Sequence, residues 1–174
     1  MSKISAPLTK DILNKLRAGE KVFLSGTIFT ARDAAHKKLI ELIESNKSLP
    51  FELKGQIIYY VGPTPKKPGQ TIGSAGPTTS CRMDAYTPAL LDRGLAGMIG
   101  KGNRNHETIE SIKKNKAVYF TCIGGTAALI SSYIKESTII AFHDLGPEAI
   151  HKLVVEDLPL FVTIDSLGNN LYQH

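Results

Sequence analysis

Apolar and polar positions divide the chain into short helices and strands. Residues 9–18 place Ile12, Leu13 and Leu16 at helical spacing and stop at Gly19, which predicts a short helix. Residues 21–28, Lys-Val-Phe-Leu-Ser-Gly-Thr-Ile, predict a strand in which Gly26 marks a bulge or a close approach. A helix is expected from near Thr30, with an apolar face of Ala31, Ala34, Ala35, Leu39, Leu42 and Ile43. Asp33 falls in its first turn, where a carboxylate complements the helix dipole. Residues 56–61, Gln-Ile-Ile-Tyr-Tyr-Val, form the clearest strand, β-branched and aromatic throughout.

The next segment, Gly62-Pro63-Thr64-Pro65-Lys66-Lys67-Pro68-Gly69, can be neither helix nor central strand. Residues 86–93 read as a helix with Gly94 as its cap, followed by a short apolar strand near residues 95–99. A helix over 107–115 and a buried strand over 117–123 come next, and Gly124-Gly125 opens a small-residue helix packed on the sheet. Residues 138–142 and 160–165 predict strands; 149–155 fits a strand or a helical turn. Residues 165–170 predict a turn. Helices and strands alternate in part and cluster in part, so the class is α/β with a mixed sheet, in one domain over residues 1–174.

Composition narrows the function classes. Hydrophobic content of 42% and charged content of 21% suit a soluble globular chain of 174 residues. Net charge is +5, with the Lys and Arg residues scattered rather than run together. Such a field favours anionic small molecules or an acidic partner. The chain carries no basic stripe interleaved with aromatics, which argues against a nucleic-acid partner. No apolar run approaches the ~18 residues that span a bilayer, and the N-terminal Met1-Ser2-Lys3-Ile4 lacks a signal-peptide core. Cys81 and Cys122 are too few for a disulfide framework, which together points to the cytoplasm.

The chemistry gathers in Gln70-Thr71-Ile72-Gly73-Ser74-Ala75-Gly76-Pro77-Thr78-Thr79-Ser80-Cys81-Arg82-Met83-Asp84. Three hydroxyl residues and an arginine at an expected helix start have the makings of an anion site, with backbone N–H groups and an N-cap to help. A rigid turn before a capped helix explains the same residues. Arg32 sits in a first helical turn, where a cation opposes the dipole unless an anion lies there; a solvated arginine is the alternative. His36, one turn on, fits a packed or hydrogen-bonded histidine, since no second metal ligand stands at a suitable spacing. Lys101 lies between Gly100 and Gly102, whose missing side chains would let a ligand approach, although an exposed lysine in a turn fits too.

Several separated segments fit one family. Gly76-Pro77-Thr78-Thr79-Ser80-Cys81-Arg82-Met83-Asp84 resembles the signature of iron–sulfur (class I) fumarate hydratases and L-tartrate dehydratases. Ala31-Arg32-Asp33-Ala34-Ala35-His36 looks like that family's arginine-bearing helix start, and Ile99-Gly100-Lys101-Gly102-Asn103 like its lysine loop. Leu145-Gly146-Pro147-Glu148-Ala149, Val155-Glu156-Asp157-Leu158-Pro159 and Asp165 with Gly168-Asn169 match its C-terminal pattern.

The resemblance implies a swivelling β/β/α domain: the C-terminal domain of single-chain members, or the separate β subunit of two-chain members. The length points to the β subunit of a hetero-oligomer. The implied cofactor is a [4Fe–4S] cluster held by three cysteines of the partner α subunit, with no metal ligand on this chain. The implied reaction is a hydro-lyase step of central metabolism, the reversible hydration of fumarate to malate. Dehydration of L(+)-tartrate is an alternative. Arg32, Arg82 and Lys101 would bind substrate carboxylates, Thr78 would be the catalytic threonine and Thr79 its hydroxyl neighbour. Asp84 is expected to brace Arg82 or the helix. A rival of another class is a regulatory domain that binds a dicarboxylate without chemistry.

Overall fold

The computed structural model describes residues 2–123 and 126–173. The Gly124-Gly125 turn therefore lies outside the described residues. Seven strands form one mixed sheet: β1 (Ser2–Ala6), β2 (Lys21–Thr30), β3 (Ile57–Tyr59), β4 (Gly97–Gly100), β5 (Val118–Cys122), β6 (Ile134–Ala141) and β7 (Ile150–Ile164). Their order is β1–β2–β3–β4–β5–β7–β6, and a further pairing of β2 with β7 brings the sheet back on itself. From β1 to β5 every neighbour is parallel; β7 runs antiparallel to β2, β5 and β6. The helices are α1 (Lys10–Lys15), α2 (Asp33–Glu44), α3 (Thr87–Asp92), α4 (His106–Asn115) and α5 (Ala127–Ser131). None is long and apolar enough to cross a membrane.

Strand alternation separates two cores. Ile57 and Tyr59 point with Val22, Leu24, Ile99, Val118, Phe120, Leu158 and Leu160 into the space enclosed by the curled sheet. Ile58 and Tyr60 point the other way, with Met98 and Tyr119, against Leu39 of α2, Leu90 and Leu91 of α3 and Ile112 of α4. The apolar stripe expected for α2 is the one it buries, through Ala35 and Leu39.

Two elements differ from the sequence reading. The strands expected over 149–155 and 160–165 are one strand, β7. Its buried positions run Leu153 and Val155, then Leu158, Leu160 and Val162. That change of phase falls at Asp157, which adopts a φ of 51° in a β7 bulge where Glu156 and Asp157 stand opposite Ser25 alone, between Leu24 and Gly26 of β2. A bulge adds one residue and breaks the period-2 signal, so one strand reads as two. The second difference is β1, which carries a single buried apolar residue, Ile4, and so has no pattern to detect. It explains Gly26: the φ is 113°, and a Cβ there would stand 2.6 Å from the Ala6 carbonyl oxygen.

Candidate active site

Strands β2, β3 and β4 are parallel neighbours, so their C-terminal ends open on one edge of the sheet. In α/β sheets that edge is where ligands bind. Arg32 stands two residues past the end of β2, as the N-cap residue of α2, and Lys101 is the first residue after β4. The Thr78 segment returns to the same edge. The Thr78 amide donates to the Tyr60 carbonyl at 2.7 Å, Thr79 bridges in parallel to Lys101, and the Ser80 amide donates to the Lys101 carbonyl at 2.9 Å. Residues far apart in the chain thus meet at three strand ends.

The Thr78–Arg82 motif differs in detail from expectation. Ser80–Met83 is a single 3-10 turn, and Thr79 makes no side-chain capping bond. The Thr78 and Ser80 amides are used by neighbouring carbonyls, so the helix-start cradle of free N–H groups is not formed by them. Among the described residues the Thr78 and Thr79 hydroxyls make no hydrogen bond. An anion at this turn would have to be met by side chains. Gly100, expected to admit a ligand, admits Ser80 instead: a Cβ at Gly100 would overlap the Ser80 hydroxyl. Gly102, with a φ of 81°, does face open space.

The cations are held differently. Arg82 forms a bidentate pair with Asp33, its Nε 3.0 Å from Oδ1 and its Nη2 against Oδ2. That bond holds the Asp33 carboxyl below its ordinary pKa and raises Arg82. Arg32 Nη2 stands 3.9 Å from the same carboxylate, so Asp33 lies between two arginines. Among the described residues, Arg32 Nε is buried without a hydrogen-bond partner. Arg32 supplies no side-chain cap to α2; the Glu148 carboxylate accepts from the Ala34 amide at 3.1 Å in its place. Lys101 is exposed and makes no ion pair among the described residues.

Asp84 does not brace Arg82. At the end of a turn with about three residues per revolution, the two side chains leave in different directions. Asp84 points inward, accepting from Arg104 Nε at 2.6 Å and from the Asn105 amide at 2.9 Å. Arg104 is the residue that sequence reasoning missed. It is buried, donates through Nη2 to Thr87 at 2.9 Å and to Tyr60 at 3.1 Å, and lies over the rings of Tyr60 and Tyr119. Its carboxylate is 20 residues away in the chain, so no local signal marks the pair. His36 is a packed, hydrogen-bonded residue, as its spacing suggested. Its Nδ1 donates to the Arg32 carbonyl at 2.7 Å, and burial pushes its pKa down to about 4, so the ring is neutral.

A cavity of about 380 Å³ lies beside this edge, lined by Pro63, Ile72, Ile139, Pro147, His143 and His151 among others. It contains none of the five expected site residues and is mainly apolar, which suits a dicarboxylate poorly. Cys81 is exposed on the 3-10 turn, and Cys122 is half-buried in β5, its thiol pushed up to about 11 by burial. No group of three or more His, Cys, Asp or Glu among the described residues is arranged to hold a metal.

Comparison with known proteins gives the family. The family model described as Fumarase C-terminus matches residues 2–174. The chain belongs to that family. It is 41% identical over 169 residues to Fumarate hydratase class I, anaerobic, of Escherichia coli, covering 94% of this chain and 31% of that protein. It is 40% identical over 162 residues to Fumarate hydratase 2 of Leishmania major, covering 92% and 28%. A Methanocaldococcus jannaschii protein, named provisionally as L(+)-tartrate dehydratase subunit beta, is 40% identical over 172 residues, covering 95% of this chain and 88% of that protein. The chain therefore spans about a third of the fumarate hydratases it matches and most of the β subunit.

Proposed function

We propose that this chain is the β subunit of a two-chain hydro-lyase acting on a four-carbon dicarboxylate in the cytoplasm, with fumarate–malate interconversion as its reaction. The observation that carries the reading is the meeting of Arg32, Thr78–Thr79 and Lys101 at the C-terminal ends of three adjacent parallel strands. The partner is an α subunit that bears a [4Fe–4S] cluster. Two thiols on separate elements do not fit a cubane cluster, so none is assigned to this chain. The domain swivels against its partner as a unit.

Hydration of a double bond flanked by carboxylates builds carbanion-like charge next to a carboxylate in the transition state. Cations placed on that carboxylate stabilise the added charge. Lys101 offers an exposed ammonium as a point charge; Arg32 offers a guanidinium whose buried Nε has no acceptor among the described residues. Arg82 is already paired, so a substrate carboxylate binds it by replacing or sharing Asp33. Thr78 transfers the proton and Thr79 orients the substrate by hydroxyl contact. A threonine is a weak base, and its activating carboxylate comes from the partner.

The relative named as a β subunit of similar length favours a second reading, in which the substrate is L(+)-tartrate and water is lost. Co-expression with a cysteine-bearing α chain, anaerobic cluster assembly and assays on fumarate and tartrate separate the two. Inactivity on both sinks the hydro-lyase reading; tight dicarboxylate binding by the isolated chain would support a regulatory domain instead. Within an active complex, Thr78→Ala is expected to lower kcat by about 100-fold or more, the usual worth of a positioned proton-transfer group. Near-normal turnover removes Thr78 from that role.

A further inference from the structure

The two segments that carry Thr79 and Lys101 are joined by more than their backbones. Tyr119, the second residue of β5, is fully buried and reaches out of the sheet toward them. Its hydroxyl lies 2.8 Å from the Gly102 carbonyl and 2.7 Å from the Ser80 hydroxyl. A carbonyl can only accept, so the single phenolic proton goes to Gly102. Ser80 must therefore donate to the phenolic oxygen. The pattern is directional: Ser80 to Tyr119 to Gly102. Ser80 follows Thr79 and Gly102 follows Lys101, so one hydroxyl pins the residues flanking both site positions.

Neighbouring groups support that hydroxyl and give it no second task. Burial raises the Tyr119 pKa well above the ordinary tyrosine value, so the proton stays in place. The Arg104 guanidinium lies over the ring at 5.0 Å, which fixes the ring without using its oxygen. The absence of a Cβ at Gly100 leaves the space Ser80 needs to reach Tyr119. The Ser80 amide bond to the Lys101 carbonyl completes a small ring of contacts around the two segments.

We infer that Tyr119 is a positioning residue that holds Lys101 in register with Thr79. Its catalytic consequence rests on the hydro-lyase reading above; its positioning consequence does not. Tyr119→Phe removes one oxygen and keeps the packed ring, so it tests the hydroxyl alone.

The first measurement needs only this chain. Amide hydrogen exchange in Tyr119→Phe is expected to quicken at Ser80 by roughly tenfold, with the α2 amides unchanged. Unchanged exchange at Ser80 overturns the inference, whatever the complex catalyses. The second uses the assembled complex, comparing Tyr119→Phe, Lys101→Met and the double variant. Tyr119→Phe is expected to lower kcat/KM by about tenfold alone, but by less than about twofold when Lys101 is already Met. Its effect on the thermal midpoint is expected to be equal in both backgrounds. An equal loss of kcat/KM in both backgrounds, or none in the first, reduces Tyr119 to a stability residue and overturns the catalytic part. Ser80→Ala, which removes the donor side, is expected to repeat the pattern more weakly and serves if Tyr119→Phe folds poorly. A complex with no activity on either dicarboxylate fails the hydro-lyase reading, and the exchange experiment still decides the positioning of Lys101.

Discussion

Two arginine–aspartate pairs start from one short turn, one through Arg82 and the other through Asp84, and burial gives them opposite roles. In the Arg82–Asp33 pair the side chains are 47% and 37% exposed; in the Arg104–Asp84 pair they are 0% and 5% exposed. A solvent-facing pair loses little when water or another anion replaces one partner. A dry pair cannot be opened without leaving a charge unsolvated, so it behaves as a fixed joint. Under the proposed function, the exposed pair would exchange a protein carboxylate for a substrate carboxylate. The buried one ties the Thr78–Arg82 turn to the start of α4 and the end of the Lys101 loop.

The sharpest way to break that contrast is Asp84→Ala. It strands Arg104 and removes the acceptor of the Asn105 amide, and is expected to cost about 3–5 kcal/mol in chemical denaturation. A loss below about 1 kcal/mol would mean that the buried pair is no joint at all. Acid titration probes the same buried side through His36. Its pKa falls from 6.5 to about 4 on folding, so the unfolded chain binds the proton first. The contribution is whole above pH 6.5 and disappears as pH falls toward 4, worth roughly 3 kcal/mol over that window. His36→Phe should flatten the difference in stability between pH 7 and pH 4; an unchanged slope would show that His36 protonates freely when folded.

On the exposed side the expected effects move from stability to activity. Lys101→Ala should lower kcat/KM of the complex by about 1.5–3 kcal/mol while leaving the unfolding midpoint nearly unchanged. Loss of stability without loss of activity would place Lys101 with the buried group. Asp33→Ala is expected to change stability the least, by about 0–1 kcal/mol, because solvent replaces the lost carboxylate. A cost comparable to that of Asp84→Ala would erase the distinction between the pairs.

The legibility of the site follows the same division. Arg32, Thr78, Thr79, Arg82 and Lys101 lie in segments whose glycines, proline and hydroxyls mark turns, and these stood out in the sequence. Their supports did not. Arg104 finds its carboxylate across 20 residues, and Tyr119 meets Ser80 across 39. Tyr119 in an apolar strand looks like any core aromatic until the Lys101 loop is folded over it. Asp33 was legible only as a dipole-complementing acid, and its bond to Arg82 spans 49 residues.

By itself the sequence determined the class, the apolar face of α2, the helix α4 and the strands β3 and β5, and it marked the segments proposed to carry the chemistry. These are local properties, because periodicity and turn chemistry are written in neighbouring residues. Only the tertiary structure decided that β7 is one strand, that the sheet returns to pair β2 with β7, and which aspartate serves which arginine. Those outcomes depend on register between distant strands and on the water each pair retains. Register is set by packing across the whole sheet, which no short stretch of chain encodes.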